Sequence, residues 1–251
     1  MGERLLIEEK FIKNLSKDRS PTGKMDKQEI IKKTELFVKE TLEKDSTGHD
    51  WWHTHRVRNL AKRIAKEEGA DIFIVELAAL LHDIGDYKFF QGDEEAGSAL
   101  VRKWLHSLKI SPSLINNIVE ITSQVSFMHT LTNKSKDSVK KNSVPTLSQE
   151  LMAVTDADRL DAMGAIGIAR AFTYGGFFNR PIYDPIIKPN KSITKEEYKT
   201  TEAPSINHFY EKLLKLKDMI YTDLGRKIAK KRHRFLKLYL KEFFKEWKGK
   251  M

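Results

Sequence analysis

The sequence predicts an all-α protein, and three observations carry that expectation. Apolar residues recur at three- and four-residue spacing along most of the chain, helix-stopping residues follow several of these stretches, and there is no convincing run of strand-type alternation. With 251 residues, 40% of them hydrophobic, the chain can build one substantial core or two small ones.

The helical pattern starts at residue 27, where Ile30, Thr34, Phe37, Val38 and Leu42 share one face, and it stops near Ser46–Gly48. A second helix is expected over 50–68. Its apolar face is Trp52, Val57, Leu60, Ala61 and Ile64, and Gly69 is its stop. A third, over about 71–84, carries Phe73, Ile74, Leu77, Ala78 and Leu81. It is apolar nearly all round, which predicts a buried helix, yet it ends on His82-Asp83 with Gly85 following. Further helices fit 93–108, 111–125, 148–157, 160–174, 206–221 and 224–248. In the last of these, Leu236, Leu240, Phe243, Phe244 and Trp247 form a stripe expected to dock the helix on a core. Residues 1–24 read as a flexible N-terminal extension ending in a turn-like SPTGK, and 25–251 read as a single folded domain. The polar, basic stretch 131–146 is expected to be a mobile loop. The Gly- and Pro-rich stretch 175–205 is expected to be an irregular excursion of the lid or binding-loop type.

Composition excludes several chemistries. There is no cysteine, so disulfides, cysteine-zinc sites and thiol catalysis are ruled out. The first twenty residues are charged throughout and hold no signal-peptide core. No stretch reaches the eighteen or so apolar residues of a membrane helix, so a cytoplasmic protein without a membrane partner is expected. The net charge of +10 is concentrated at one end: from Arg226 onward there are eleven Lys/Arg against two Glu. That segment is expected to be a solvated face, with nucleic-acid binding as the less favoured reading.

Four blocks concentrate the chemistry: GHDWWHTHRVRNLA at 48–61, LLHDIGDYK at 80–88, TDADRLDAMG at 155–164 and SINHFYEKLLKLKD at 205–218. His49 and His53 are four apart and share a helix face, whereas His53 and His55 diverge. Imidazole nitrogens and carboxylate oxygens suit Mn, Fe, Co, Ni and Zn, and two of each would leave positions open for water and substrate. The adjacent His82-Asp83 could supply two ligands only where the backbone turns. Asp158 follows apolar LMAV, where a carboxylate is costly unless a cation compensates it. Read residue by residue, other roles stay open. A histidine can be a hydrogen-bonded core residue, Asp158-Arg159 can be a surface ion pair, and Asp156 and Asp161 can face solvent.

The order of His53, then His82-Asp83, then Asp158 resembles the signature of the HD-domain metal-dependent phosphohydrolase superfamily. The blocks HDWWHTHRVRNLA, LLHDIGD, DADRLDAMGAIGIARAF and INHFYEKLLKLKDMIYT are similar to its small single-domain bacterial branch, which includes nucleotide pyrophosphohydrolases. The likeness runs from about residue 26 to about 247. It implies an all-α HD-domain bundle with a central metal site and hydrolysis of phosphate esters or anhydrides. It also implies the ligand set His53, His82, Asp83 and Asp158. His55 competes at the first position, but only His53 has the Arg-Val step (Arg56-Val57) at the family's spacing.

The resulting expectation is one divalent metal, Mn first with Ni, Co, Fe, Mg and Zn as alternatives. The expected reaction is attack of an activated water on phosphorus, releasing pyrophosphate from nucleoside (deoxy)triphosphates. Asp83 or Asp86 would orient the water or accept its proton. His49 would donate to the leaving group, or serve as a helix cap or a support for the ligands. Lys88, Arg159, His208 and Lys212 are candidate phosphate contacts. The alternatives are a nucleoside monophosphatase, a cyclic-nucleotide phosphodiesterase, and a non-catalytic nucleic-acid-binding module built on the basic C-terminal helix. The partner expected is a small phosphorylated substrate, and association into a homo-oligomer is compatible with the sequence.

Overall fold

The computed structural model describes residues 25–84, 94–125, 147–190 and 203–250. The expected extension at 1–24, the expected loop at 131–146, Asp86 and Lys88 lie outside these residues. The protein is all-α: the described residues form helices and irregular connections, with no strand among them. The α-helices are α1 (Lys27–Leu42), α2 (Trp51–Glu68), α3 (Ile72–Leu81), α4 (Glu94–Ser107), α5 (Pro112–Gln124), α6 (Gln149–Asp161), α7 (Gly164–Phe177) and α8 (Asp223–Trp247). None of the described helices is long and apolar enough to cross a membrane. The described residues group into two compact units. One holds α1–α5 and residues 149–155 of α6; the other holds residues 46–48, the remainder of α6, and everything after it.

In the first unit, local chemistry sets the helix starts. Asp26, Asp50 and Asp71 each cap a helix N-terminus, accepting from Glu29 N, His53 N, and Phe73 N with Ile74 N, respectively. Gly69 ends α2 as expected, in the left-handed region at φ 74°, with its N–H donating to Ala65 O. α3 is the buried helix its composition predicts: Val75 and Leu77–Leu81 are inaccessible to solvent. It packs against α1, α2 and α5. Trp104 of α4 stacks on Phe37 at 4.2 Å between ring centroids and donates its indole N–H to Thr34 Oγ1 at 3.1 Å. One expectation reverses here. Trp52 is 62% exposed while Trp51, at the first position of α2, is buried with Lys39 Nζ 4.6 Å from its ring centroid.

α3 also buries a charge, Glu76. Arg58 Nε donates to it at 2.8 Å, Lys62 Nζ reaches it at 2.9 Å, and a second Arg58 nitrogen donates to Glu35 at 2.8 Å. The Arg58→Met variant is expected to lose about 2 kcal/mol of stability, because Glu76 keeps only the half-exposed Lys62 as a partner. Chemical denaturation with an unchanged m-value would check this.

In the second unit, α8 packs on α7 and on the short 3-10 helix Leu216–Met219. Leu236 and Leu240 are buried as the stripe predicts. Phe243, Phe244 and Trp247 meet Tyr183 edge-on, and Trp247 remains 52% exposed. Two boundaries differ from expectation. The break after α6 falls at Ala162–Met163, so Asp158 lies inside a helix. The expected helix 206–221 is instead a π-helical segment, Phe209–Leu213, followed by the 3-10 turn and an extended Ile220 at ψ 132°. Asp156 holds the end of this stretch. Its carboxylate accepts from Tyr221 N at 2.9 Å, Thr222 N at 2.8 Å and Thr222 Oγ1 at 2.7 Å, which pulls this backbone out of helical register. Thr222 Oγ1 in turn accepts from Gly225 N at 3.1 Å and so caps α8.

Candidate metal centre

The end of α3 brings the expected ligands together within the first unit. Residues 82–84 turn directly after α3, and Ile84 N donates to Leu81 O at 3.1 Å, tightening the last turn. His82 Nδ1 lies 2.8 Å from Ala79 O. A carbonyl only accepts, so the ring proton sits on Nδ1 and Nε2 keeps its lone pair when the ring is neutral. That Nε2 is 3.3 Å from His53 Nε2. Asp83 closes the group, with Oδ2 3.2 Å from His53 Nε2 and Oδ1 3.5 Å from His82 Nε2. His53, His82 and Asp83 are all buried.

Among the described residues, Asp83 Oδ2 is buried without a hydrogen-bond partner. Burial by itself pushes the Asp83 carboxyl up. The positive charge of the His82, His49 and His53 imidazoles outweighs this and holds it well below the usual carboxylate range. An ionised, buried carboxylate with an unbonded oxygen, facing two imidazole Nε2 atoms, is the donor set of a divalent cation. The residues therefore fit the metal that the sequence implies.

The other expected residues divide clearly. His49 is near: its ring is 5.5 Å from that of His53, edge-on, and its charge reaches Asp83. His55 has different company. Its ring lies 5.6 Å from Trp51 and 6.0 Å from Trp52, and Nε2 is 3.0 Å from Asn59 Nδ2. It is His53, and not His55, that lies beside His82 and Asp83.

In the second unit, Asp158 is half-buried within α6. Its neighbours Asp156 and Asp161 do not face solvent; both are buried. Burial pushes the Asp156 carboxyl above its ordinary value, against the pull of its Thr222 and Tyr221 hydrogen bonds and the Arg159 charge. Asp161 pairs with Arg170 at 3.2 Å, and Arg170 Nε also donates to Gly48 O at 2.8 Å. Arg159 is buried too. Its guanidinium donates to Met219 O and lies 4.9 Å from the Tyr221 ring centroid. His208 and Lys212 are half-buried at the start and within the π-helical segment.

The model of the HD domain family matches residues 51–163. Bacillus subtilis YpgQ, an uncharacterized protein, is 36% identical over 213 residues, 85% of this chain and 91% of its own. The chain belongs to the HD family. An HD-superfamily hydrolase of Bacillus thuringiensis is 41% identical, with a TM-score of 0.66 over 89% of this chain and 99% of that one. The structure of YpgQ in complex with ADP is 31% identical by structural match, with a TM-score of 0.64 over 86% of this chain and 97% of that one. The matched span contains His53, His82, Asp83 and Asp158, the order from which the HD signature takes its form. The protein is an HD-superfamily hydrolase, and HD domains bind divalent metals.

Proposed function

We propose that this HD hydrolase cleaves nucleoside (deoxy)triphosphates to monophosphate and pyrophosphate, using one divalent metal, Mn before Ni, Co, Fe, Mg or Zn. The observation that carries the reading is the unbonded, ionised Asp83 Oδ2 facing the His53 and His82 imidazoles. Asp158 is proposed as the fourth ligand, from its place in the HD signature. The complex of the related YpgQ with ADP supports a nucleotide over other phosphate esters. Bound in this set, the metal would polarise a phosphoryl oxygen and lower the pKa of a water.

The chain's own residues do the rest. The Ala79 carbonyl holds the His82 ring in the tautomer that presents Nε2. Asp83 or Asp86 orients the water or takes its proton, and His49 protonates the leaving oxygen. Lys88, His208 and Lys212 contact the phosphates, while Arg159 braces the Met219 carbonyl.

The test is a hydrolysis panel on chelator-treated protein. It sets Mn, Ni, Co, Fe, Mg and Zn against nucleoside mono-, di- and triphosphates and a cyclic nucleotide. Metal-restored pyrophosphate is the expected product. Orthophosphate would move the protein to the phosphatases, turnover of the cyclic substrate to the phosphodiesterases, and silence with bound metal would overturn the nucleotide reading. His49→Gln is expected to lower kcat by about a hundredfold or more while metal affinity holds. A parallel loss of metal in a titration would place His49 among the ligands instead.

A further inference from the structure

The hydrolytic centre does not use α8, whose two sides differ sharply. Gly225, Ala229, Leu236 and Leu240 are buried on one side. With about 100° between successive residues, Lys230, Lys231, Arg234, Lys237 and Lys241 fall in an arc of about 120° on the other side, and all five are exposed. They span about 16 Å of helix axis. Among the described residues these five enter no ion pair. By contrast, Arg58, Lys62 and Arg170 are paired elsewhere, and Arg226 and Lys245, beyond the two ends of the row, pair with Asp223 and Glu242. Leu238 lies within this arc and is 52% exposed; Phe235 lies about 40° beyond it and is 47% exposed.

We propose that this face of α8 binds single-stranded nucleic acid. The charge that would recognise a polyanion is concentrated here: the segment from Arg226 onward carries a net +9 of the chain's +10. Five exposed cations over about 16 Å form a positive track of the kind that follows a single-stranded phosphate backbone. Phe235 beside the row offers a ring on which an unpaired base can stack. A membrane surface fits less well. Interfacial helices bury a continuous apolar face, and here that face is already covered within the unit, where Tyr239 stacks on Phe209 at 5.7 Å. The inference does not rest on the nucleotide substrate.

The test is fluorescence anisotropy of the full chain with a labelled oligothymidylate of about 20 nucleotides across a salt series. Binding is expected with a slope of log affinity against log salt near −3.5, about 0.7 per cation. The K230E/R234E/K241E variant is expected to weaken binding by about tenfold or more at low salt and to flatten the slope by about 2, with hydrolysis and helical circular dichroism unchanged. Phe235→Ala is expected to weaken binding about fivefold or more at every salt, and it keeps the test decisive if the triple variant misfolds. Absence of binding at low salt, equal binding by the triple variant, or tighter binding to a duplex of the same length would each overturn the proposal. So would uptake by phosphatidylserine vesicles without oligonucleotide binding.

Discussion

Replacing Asp83 with asparagine is expected to abolish metal-dependent hydrolysis, by about two orders of magnitude at the least, while far-UV circular dichroism stays unchanged. The lower bound follows because losing a support behind a metal ligand already costs 10- to 100-fold, and Asp83 is placed among the ligands themselves. Asparagine keeps the volume of the side chain and removes its charge, so packing at the end of α3 is preserved. Calorimetric titration with Mn should show affinity falling along with turnover.

Stability adds a second, independent readout. In the metal-free wild type, Asp83 is a buried anion with one oxygen unbonded, held ionised by the surrounding imidazoles. A carboxyl whose pKa is lowered on folding stabilises the fold when ionised, so metal-free Asp83→Asn should melt lower than the metal-free wild type. The wild type should then gain about 2.7 kcal/mol when the metal stands at about a hundred times its dissociation constant, and the variant should not. Wild-type turnover and metal affinity in Asp83→Asn would remove Asp83 from the ligand set. A variant that binds metal normally but does not turn over would keep Asp83 as a base only.

This site was legible because its parts carry local signals. Asp50 caps α2 just ahead of His53, whereas His49 precedes the helix and reaches the His53 ring and Asp83 from the connection before it, not from a shared helix face. His82-Asp83 stands out as charge at the end of a helix that is otherwise apolar. Trp52 is exposed where its neighbour Trp51 is buried, because adjacent tryptophans are equivalent in composition and the contacts of α2 decide which one is covered. Asp156 and Asp161 were invisible for another reason. Each is an ordinary acidic residue in α6, and what makes it structural is a partner on another element: Thr222 for Asp156, Arg170 for Asp161. The broken helix at 209–219 was hidden as well. Phe209, Leu213, Leu216 and Ile220 are buried at three- and four-residue intervals, as in an α-helix, but the pattern records burial and not the backbone hydrogen bonds.

Asp156→Ala is accordingly expected to be the most destabilising single change in the second unit, by about 3–5 kcal/mol. It would strand the Tyr221 and Thr222 amides and the Thr222 hydroxyl, all of which bond this one carboxylate, and leave a void beneath the start of α8. The consequence extends into α8 because Thr222 Oγ1 is at once donor to Asp156 and acceptor from Gly225 N. Space is equally tight: a Cβ added at Gly225 would lie 2.6 Å from Thr222 Oγ1 and 2.7 Å from Asp156 Oδ2, so Gly225→Ala should mimic part of the effect. Asp156→Asn separates charge from hydrogen bonding. It keeps one acceptor oxygen but turns an amide toward donors, and an intermediate loss is expected. Thermal melts would show a fall of roughly 6–20 °C for the alanine variant at this chain length. If alanine and asparagine were both neutral, the clamp would not be what draws residues 220–222 out of the helix.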